Sequence, residues 1–173
     1  MDVPPHGSET ETTLALLDRN RRTFAWKTGG LSTEQLRQRL APSTLTLGGL
    51  LKHLALVEDY YFTLRLDAEM PEPWASVDWD AEPDHPWTSA SEDSAEELYA
   101  LWEASVARSR AAVERALERG DLSQVVRYAD GADVLPSLRH TLADMVEEYA
   151  RHTGHADLIR ESIDGLVGED APR

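Results

Sequence analysis

The residues best equipped for chemistry crowd into one stretch, Glu147-Glu148-Tyr149-Ala150-Arg151-His152-Thr153-Gly154-His155-Ala156-Asp157. Glu148 and His152 stand four apart, and His152 and His155 three apart. On an α-helix those spacings put all three side chains on one face. Asp144 lies four residues before Glu148, on the same line. Neutral imidazole and carboxylate are standard ligands for zinc and similar divalent ions. A Glu and a His at i, i+4 can chelate one ion. A third ligand from a facing helix would complete a facial set and leave a position open for water or substrate. His53 is placed for that role, in the middle of a different helical segment; His6, His85 and His140 fall in the leader, in an acidic loop and near the start of the last helix. Spacing alone leaves three readings open: an exposed i, i+4 contact, a buried histidine bonded to a core carboxylate, or a metal site. Glu147 and Glu161 read as surface charges, and Glu58, five residues after His53, reads as a surface charge or a group that moves protons.

Composition narrows the chemistry. The chain has 173 residues, a length that suits a single domain over 1–173 with a proper core. Its 17 Lys and Arg against 32 Asp and Glu give a formal net charge of −15. Such a surface repels a phosphate backbone and anionic lipid, so neither nucleic acid nor a membrane is an expected partner. There is no cysteine, which excludes disulfides, thiolate metal sites and a cysteine nucleophile. No run approaches the roughly 20 apolar residues of a membrane span. Met1-Asp2-Val3-Pro4-Pro5 lacks the basic and apolar regions of a secretory signal, so the expected location is the cytoplasm.

The elements that must position these residues follow from apolar periodicity and cap chemistry. Residues 1–9 read as a frayed leader. Leu14, Leu17 and Phe24 mark an amphipathic helix over about 10–28, ended by Gly29-Gly30. Ser32-Thr33-Glu34-Gln35 opens a short helix over about 33–40, stopped by Pro42. A second long helix over about 46–67 carries Leu47, Leu50, Leu51, Leu54, Val57, Tyr61 and Leu64, with Gly48-Gly49 in its first turn permitting a close neighbour. Four prolines break residues 68–91, where Trp74, Trp79 and Trp87 alternate with acids. This connection either is pinned to the bundle by its tryptophans, lines a cleft, or does both. Ser91 and Ser94, followed by Glu96 and Glu97, open a third long helix that runs to about Arg119. Residues 121–132 suggest a short extended piece. Ser137 caps a fourth helix over about 137–163, with Leu138, Leu142, Met145, Val146, Tyr149, Leu158, Ile159 and Ile163 as its apolar set. The expected fold is therefore all-α, a four-helix bundle with a long crossover between the second and third long helices.

Two segments sharpen this picture. Leu50-Leu51-Lys52-His53-Leu54-Ala55-Leu56-Val57-Glu58 resembles the first metal motif of the DinB/YfiT-like superfamily. The run from Glu147 to Glu161, followed by Asp164-Gly165, is similar to the most distinctive motif of an actinobacteria-rich subgroup of that superfamily. The resemblance covers nearly the whole chain in element order. It implies a bundle of DinB/YfiT type and a divalent metal held by three side chains, often three histidines. Carried over by position, the ligands are His53, Glu148 and His152. Glu148 departs from the commoner histidine, yet the mycothiol-dependent maleylpyruvate isomerase branch resembles the same His, Glu, His set. His155 falls where many relatives have Gln, beside the metal or as an alternative ligand, and no role is expected for Asp144.

The resemblance also implies a function. Active relatives are thiol transferases or isomerases that use low-molecular-weight thiols such as mycothiol. The metal, zinc by default with nickel or iron accepted by the same donors, would activate the thiol of a cosubstrate toward a small electrophile. That suits a chain without cysteine. His155 or Glu58 would orient ligands or move protons, and Tyr60, Tyr61 or Tyr149 would shape the pocket. The alternative is a non-enzymatic protein, a homodimeric scaffold or stress-associated binder, whose metal site is structural or vestigial. The resemblance carries a homodimer expectation in either case.

Overall fold

The computed structural model describes residues 3–128 and 134–169. Its regular structure among those residues is helical, as the periodicity predicts. Four long elements form the bundle. The first is α1 (Glu9–Thr28). The second begins as α3 (Leu47–Glu58), widens into a π-helical segment over Asp59–Leu64 and finishes as α4 (Arg65–Asp67). The third and fourth are α6 (Ala95–Arg119) and α7 (Leu138–Asp164). Two short helices, α2 (Thr33–Leu36) and α5 (His85–Ser89), lie in the connections. Among the described residues no helix is long and apolar enough to cross a membrane.

The helix starts are set by side chains that satisfy otherwise orphaned backbone donors. Ser8 and Glu11 form a reciprocal capping box, and Ser94 and Glu97 form another. The Thr46 hydroxyl accepts the Gly49 N–H at 3.0 Å, and the Ser137 hydroxyl accepts the His140 N–H at 3.2 Å. At the other end of α7, Gly165 takes a left-handed conformation with φ of 77°, where a side chain would be strained.

Three expectations need correction. The short helix ends at Leu36 rather than near residue 40, because Arg39 pairs with Thr46 in an isolated bridge that leads the chain to the α3 cap. The extended piece over 121–132 reduces to a bridge between Val125 and Ser137, and its residues 129–132 lie outside the described ones. Leu158 is exposed rather than apolar lining. It sits about 100° around α7 from the buried Ile159, which turns it away from the neighbouring helices.

α1 packs along α7, and α3 packs against both α6 and α7. Their apolar faces merge into one buried cluster. At its centre the Phe24 ring lies 5.9 Å from Trp102 and 6.0 Å from Tyr149, centroid to centroid. Burial of such aromatic and aliphatic side chains stabilises a bundle by about 1.5–3 kcal/mol each.

Two neighbouring carboxylates are buried where α3 meets the π segment. Glu58 and Asp59 are each fully inaccessible to solvent. A buried charge persists only when it is paired and hydrogen-bonded, and both are. Glu58 accepts two bonds from Arg21 of α1, at 2.7 Å each, and one from the Tyr149 hydroxyl of α7 at 2.7 Å. Asp59 points the other way. It accepts from Arg108 at 2.8 and 2.7 Å, from Ser105 at 2.7 Å and from the Trp74 indole at 3.0 Å. The Ser109 hydroxyl takes up the Glu58 carbonyl at 3.0 Å, at the point where the helical register changes. One carboxylate thus ties α3 to α1 and α7, and the other ties it to α6 and the crossover. This corrects the sequence expectation for Glu58, which is neither a surface charge nor a group free to shuttle protons.

The crossover is also more ordered than its prolines suggest. Trp74 starts a 3-10 turn through Ser76 and is fully buried on Asp59, and Pro86 sits in the first turn of α5, where its missing N–H is harmless.

Candidate metal centre

His53 comes from α3, and Glu148 and His152 come from α7. The packing of α3 on α7 brings them together. One ligand atom from each lies within 4.8 Å of the other two. Glu148 Oε2 is 3.6 Å from His53 Nε2 and 3.2 Å from His152 Nε2. Ligands bound tetrahedrally to zinc at about 2.1 Å stand about 3.4 Å apart, so both separations suit one shared ion. The two imidazoles meet edge to face with centroids 4.7 Å apart.

One atom tests the fit directly. His53 Nε2 is sealed from solvent and has no hydrogen-bond partner. An unsatisfied buried polar atom costs about 1–3 kcal/mol, a penalty that coordination to a cation removes. Two imidazoles and one carboxylate form a donor set that zinc, nickel and iron all accept. Three such donors would leave a coordination position open, the arrangement of catalytic rather than structural sites.

The electrostatics agree. Burial lowers the pKa of His152 to about 4, helped by the neighbouring His53 and His155. Burial also lowers the pKa of His53, against the opposing pull of the Glu148 carboxylate. Both rings are therefore neutral near pH 7, the form in which imidazole binds a metal.

His155 stands outside this set. Its Nδ1 lies 3.3 Å from His152 Nδ1, the nitrogen on the far side of that ring from Glu148. That contact can fix the orientation of His152, as partners of metal-bound histidines commonly do. Asp144 is engaged elsewhere, 3.3 Å from His140 Nε2 and 4.0 Å from Arg65 Nη1. Tyr149 faces the core through its bond to Glu58 and does not shape the pocket.

Sequence reasoning left the role of Trp87 undecided. Its indole stacks on His53 with centroids 4.4 Å apart and planes 22° apart. It occupies space that Gly49 leaves free, since a Cβ there would come within 3.2 Å of Trp87 Cε3. Gly49 and His53 are four apart on one helical face. That spacing was the available signal for an aromatic ring lying along α3. The neighbouring Gly48 admits the Leu36 carbonyl, which would meet a Cβ at 3.3 Å. The crossover therefore does both things its sequence suggests: Trp74 pins it, and Met70, Trp79 and Pro83 line the cavity beside His53.

His53 and Glu148 open onto a cavity of about 670 Å³, whose wall includes Tyr60 and Tyr61 of the π segment and Trp79 of the crossover. Its size is typical of small-molecule sites, roughly 300–1,000 Å³. The arrangement can hold a divalent cation at the edge of a pocket large enough for a second reactant.

A protein-family model described as mycothiol-S-transferase matches residues 12–165. The match begins in α1 and ends just beyond α7, so His53, Glu148 and His152 all lie within it. No curated protein matches the chain.

Proposed function

Because this chain belongs to the mycothiol-S-transferase family, a DinB-like family, we propose that it binds a divalent metal through His53, Glu148 and His152 and joins mycothiol, through its sulfur, to a small electrophile. The observation that carries this reading is the buried, unpartnered His53 Nε2 facing Glu148 and His152. A divalent ion held there, zinc by default, would lower the pKa of a thiol so that thiolate is available near neutral pH.

The chain's own residues account for the rest. With no cysteine of its own, the protein must take its sulfur nucleophile from a cosubstrate. His53 and His152 supply neutral donors, and Glu148 supplies one negative charge. His155 steadies His152 through the Nδ1 contact, and Trp87 holds the His53 ring by stacking. The cavity beside His53 and Glu148 receives the electrophile and holds it next to the bound thiol. In transfer the sulfur forms a bond to the electrophilic carbon, the leaving group departs with its bonding pair, and the thiol proton passes to solvent.

The test is metal analysis of the purified protein beside His53→Ala, Glu148→Ala and His152→Ala. Stoichiometric metal in the parent and its loss in all three variants is the expected result. Equal metal in all four proteins refutes the ligand set. Turnover of mycothiol with a panel of electrophiles then tests the activity, and no rate above the uncatalysed reaction across the panel refutes the transferase reading.

A further inference from the structure

The cavity beside the ligand cluster has a chemical character that narrows the second substrate. Beyond His53 and Glu148 its lining is apolar or aromatic, with Leu56, Val57 and Met70 beside Tyr60, Tyr61 and Trp79. No Lys or Arg lines it among the described residues. Arg65 lies behind the lining, against the Tyr61 ring at 4.1 Å and the Tyr60 ring at 5.3 Å, with its Nη1 4.0 Å from Asp144. Those two rings are in the cavity lining and the Arg65 side chain is not. Among the large apolar side chains that stay exposed, Trp79 and Tyr128 both belong to this cavity. Exposed aromatic surface gathered at one concavity marks a place where apolar ligand surface is covered.

Charge counting points the same way. A divalent cation, the Glu148 carboxylate and a thiolate would sum to zero, so the ligand cluster keeps no net positive charge for an anionic electrophile, and the two tyrosine rings stand between Arg65 and the cavity. The chain as a whole carries −15 and repels such a molecule at a distance as well. Resting on the transferase reading above, we propose that the electrophile is an uncharged apolar or aromatic molecule, and that carboxylate-bearing electrophiles, including the dicarboxylates of isomerase chemistry, are rejected by this cavity.

The test pairs a neutral probe with its anionic counterpart. Unreactive 4-methylbenzyl alcohol and 4-methylbenzoate are titrated into the metal-loaded protein in saturating mycothiol, so that thiolate fills the open coordination position, with binding read by tryptophan fluorescence and assigned to Trp79 by repeating the titration with Trp79→Phe. The neutral probe is expected to bind at least about a hundredfold more tightly, because a carboxylate would be desolvated without a partner. Tyr128→Arg, at a side chain outside the ligand set, should raise the relative affinity for 4-methylbenzoate about fivefold, the scale of a partly exposed ion pair. Kinetics with benzyl chloride and 4-(chloromethyl)benzoate, in which the thiol sulfur displaces chloride, should show the same preference in kcat/KM. Equal or tighter binding of 4-methylbenzoate by the parent protein overturns the proposal, as does binding of neither probe. The binding titration stands apart from catalysis. Selective binding without turnover would count against the transferase reading alone, and turnover without selectivity would count against this inference alone.

Discussion

The substitution Glu58→Gln tests how the bundle holds α3 to α1 and α7. It preserves side-chain volume but removes the charge opposite Arg21, whose guanidinium is itself buried, at 4% exposure. Three donors converge on the carboxylate, two from Arg21 and one from Tyr149. An amide presents one acceptor oxygen and two hydrogens of its own, so at least one donor is left facing a donor. Asp18, 3.1 Å from Arg21 Nη1 and more exposed, remains as the one other charged partner that pairs with it. Breaking a buried pair by removing one partner costs about 3–5 kcal/mol. Against a typical total of about 5–15 kcal/mol that is a large fraction. It corresponds to a fall in Tm of about 6–20 °C for a protein of this size. The measurement is urea and thermal unfolding by far-ultraviolet circular dichroism, in chelator so that bound metal adds nothing. Arg21→Met and the double substitution complete the cycle, and the double should lose about 2 kcal/mol less than the sum of the singles. A loss below about 1 kcal/mol for Glu58→Gln, or strict additivity in the double, would refute the view that this pair secures α3 to α1 and α7.

Three further outcomes follow from the site. His155→Ala should retain metal at saturating concentration but weaken its affinity about 10–100-fold, measured by competition with a chromophoric chelator; complete loss of metal would make His155 a ligand. Gly49→Val should drive the Trp87 indole off His53 at an overpacking cost of about 1–3 kcal/mol, seen as a change in tryptophan emission that is absent in Trp87→Phe; unchanged emission would show the stack to be independent of the glycine. The metal-free protein should lose stability as pH falls from about 6.5 to about 4. His152 titrates near 4 when folded because it is buried, whereas its unfolded value is about 6.5, so the unfolded chain binds the extra proton in that window and stability rises with pH across it. His152→Gln should flatten this slope in denaturant unfolding series, and an unaltered slope would assign the pH dependence to other groups.

The sequence by itself determined the all-α class, the starts of the long helices and the stripe Glu148, His152, His155. These are local properties. Apolar spacing within a few turns sets a helical face, and Ser94 and Ser137 declare helix starts by bonding backbone three residues away, whereas the Ser8 cap of α1 lies in what reads as a frayed leader. The resemblance of two motifs pointed to His53, but only the packing of α3 on α7 brings it within 3.6 Å of Glu148. Tertiary structure alone decided which charges are buried. Glu58 and Glu148 look alike along the chain, yet Glu58 faces Arg21 from α1 and is sealed, while Glu148 faces a cavity. It also separated the tryptophans of the crossover, sending Trp74 to Asp59 and Trp87 to His53. The physical reason is common to all of these. The helical state of a segment depends on backbone energetics within a turn or two, whereas burial, pairing and coordination depend on what another helix places opposite.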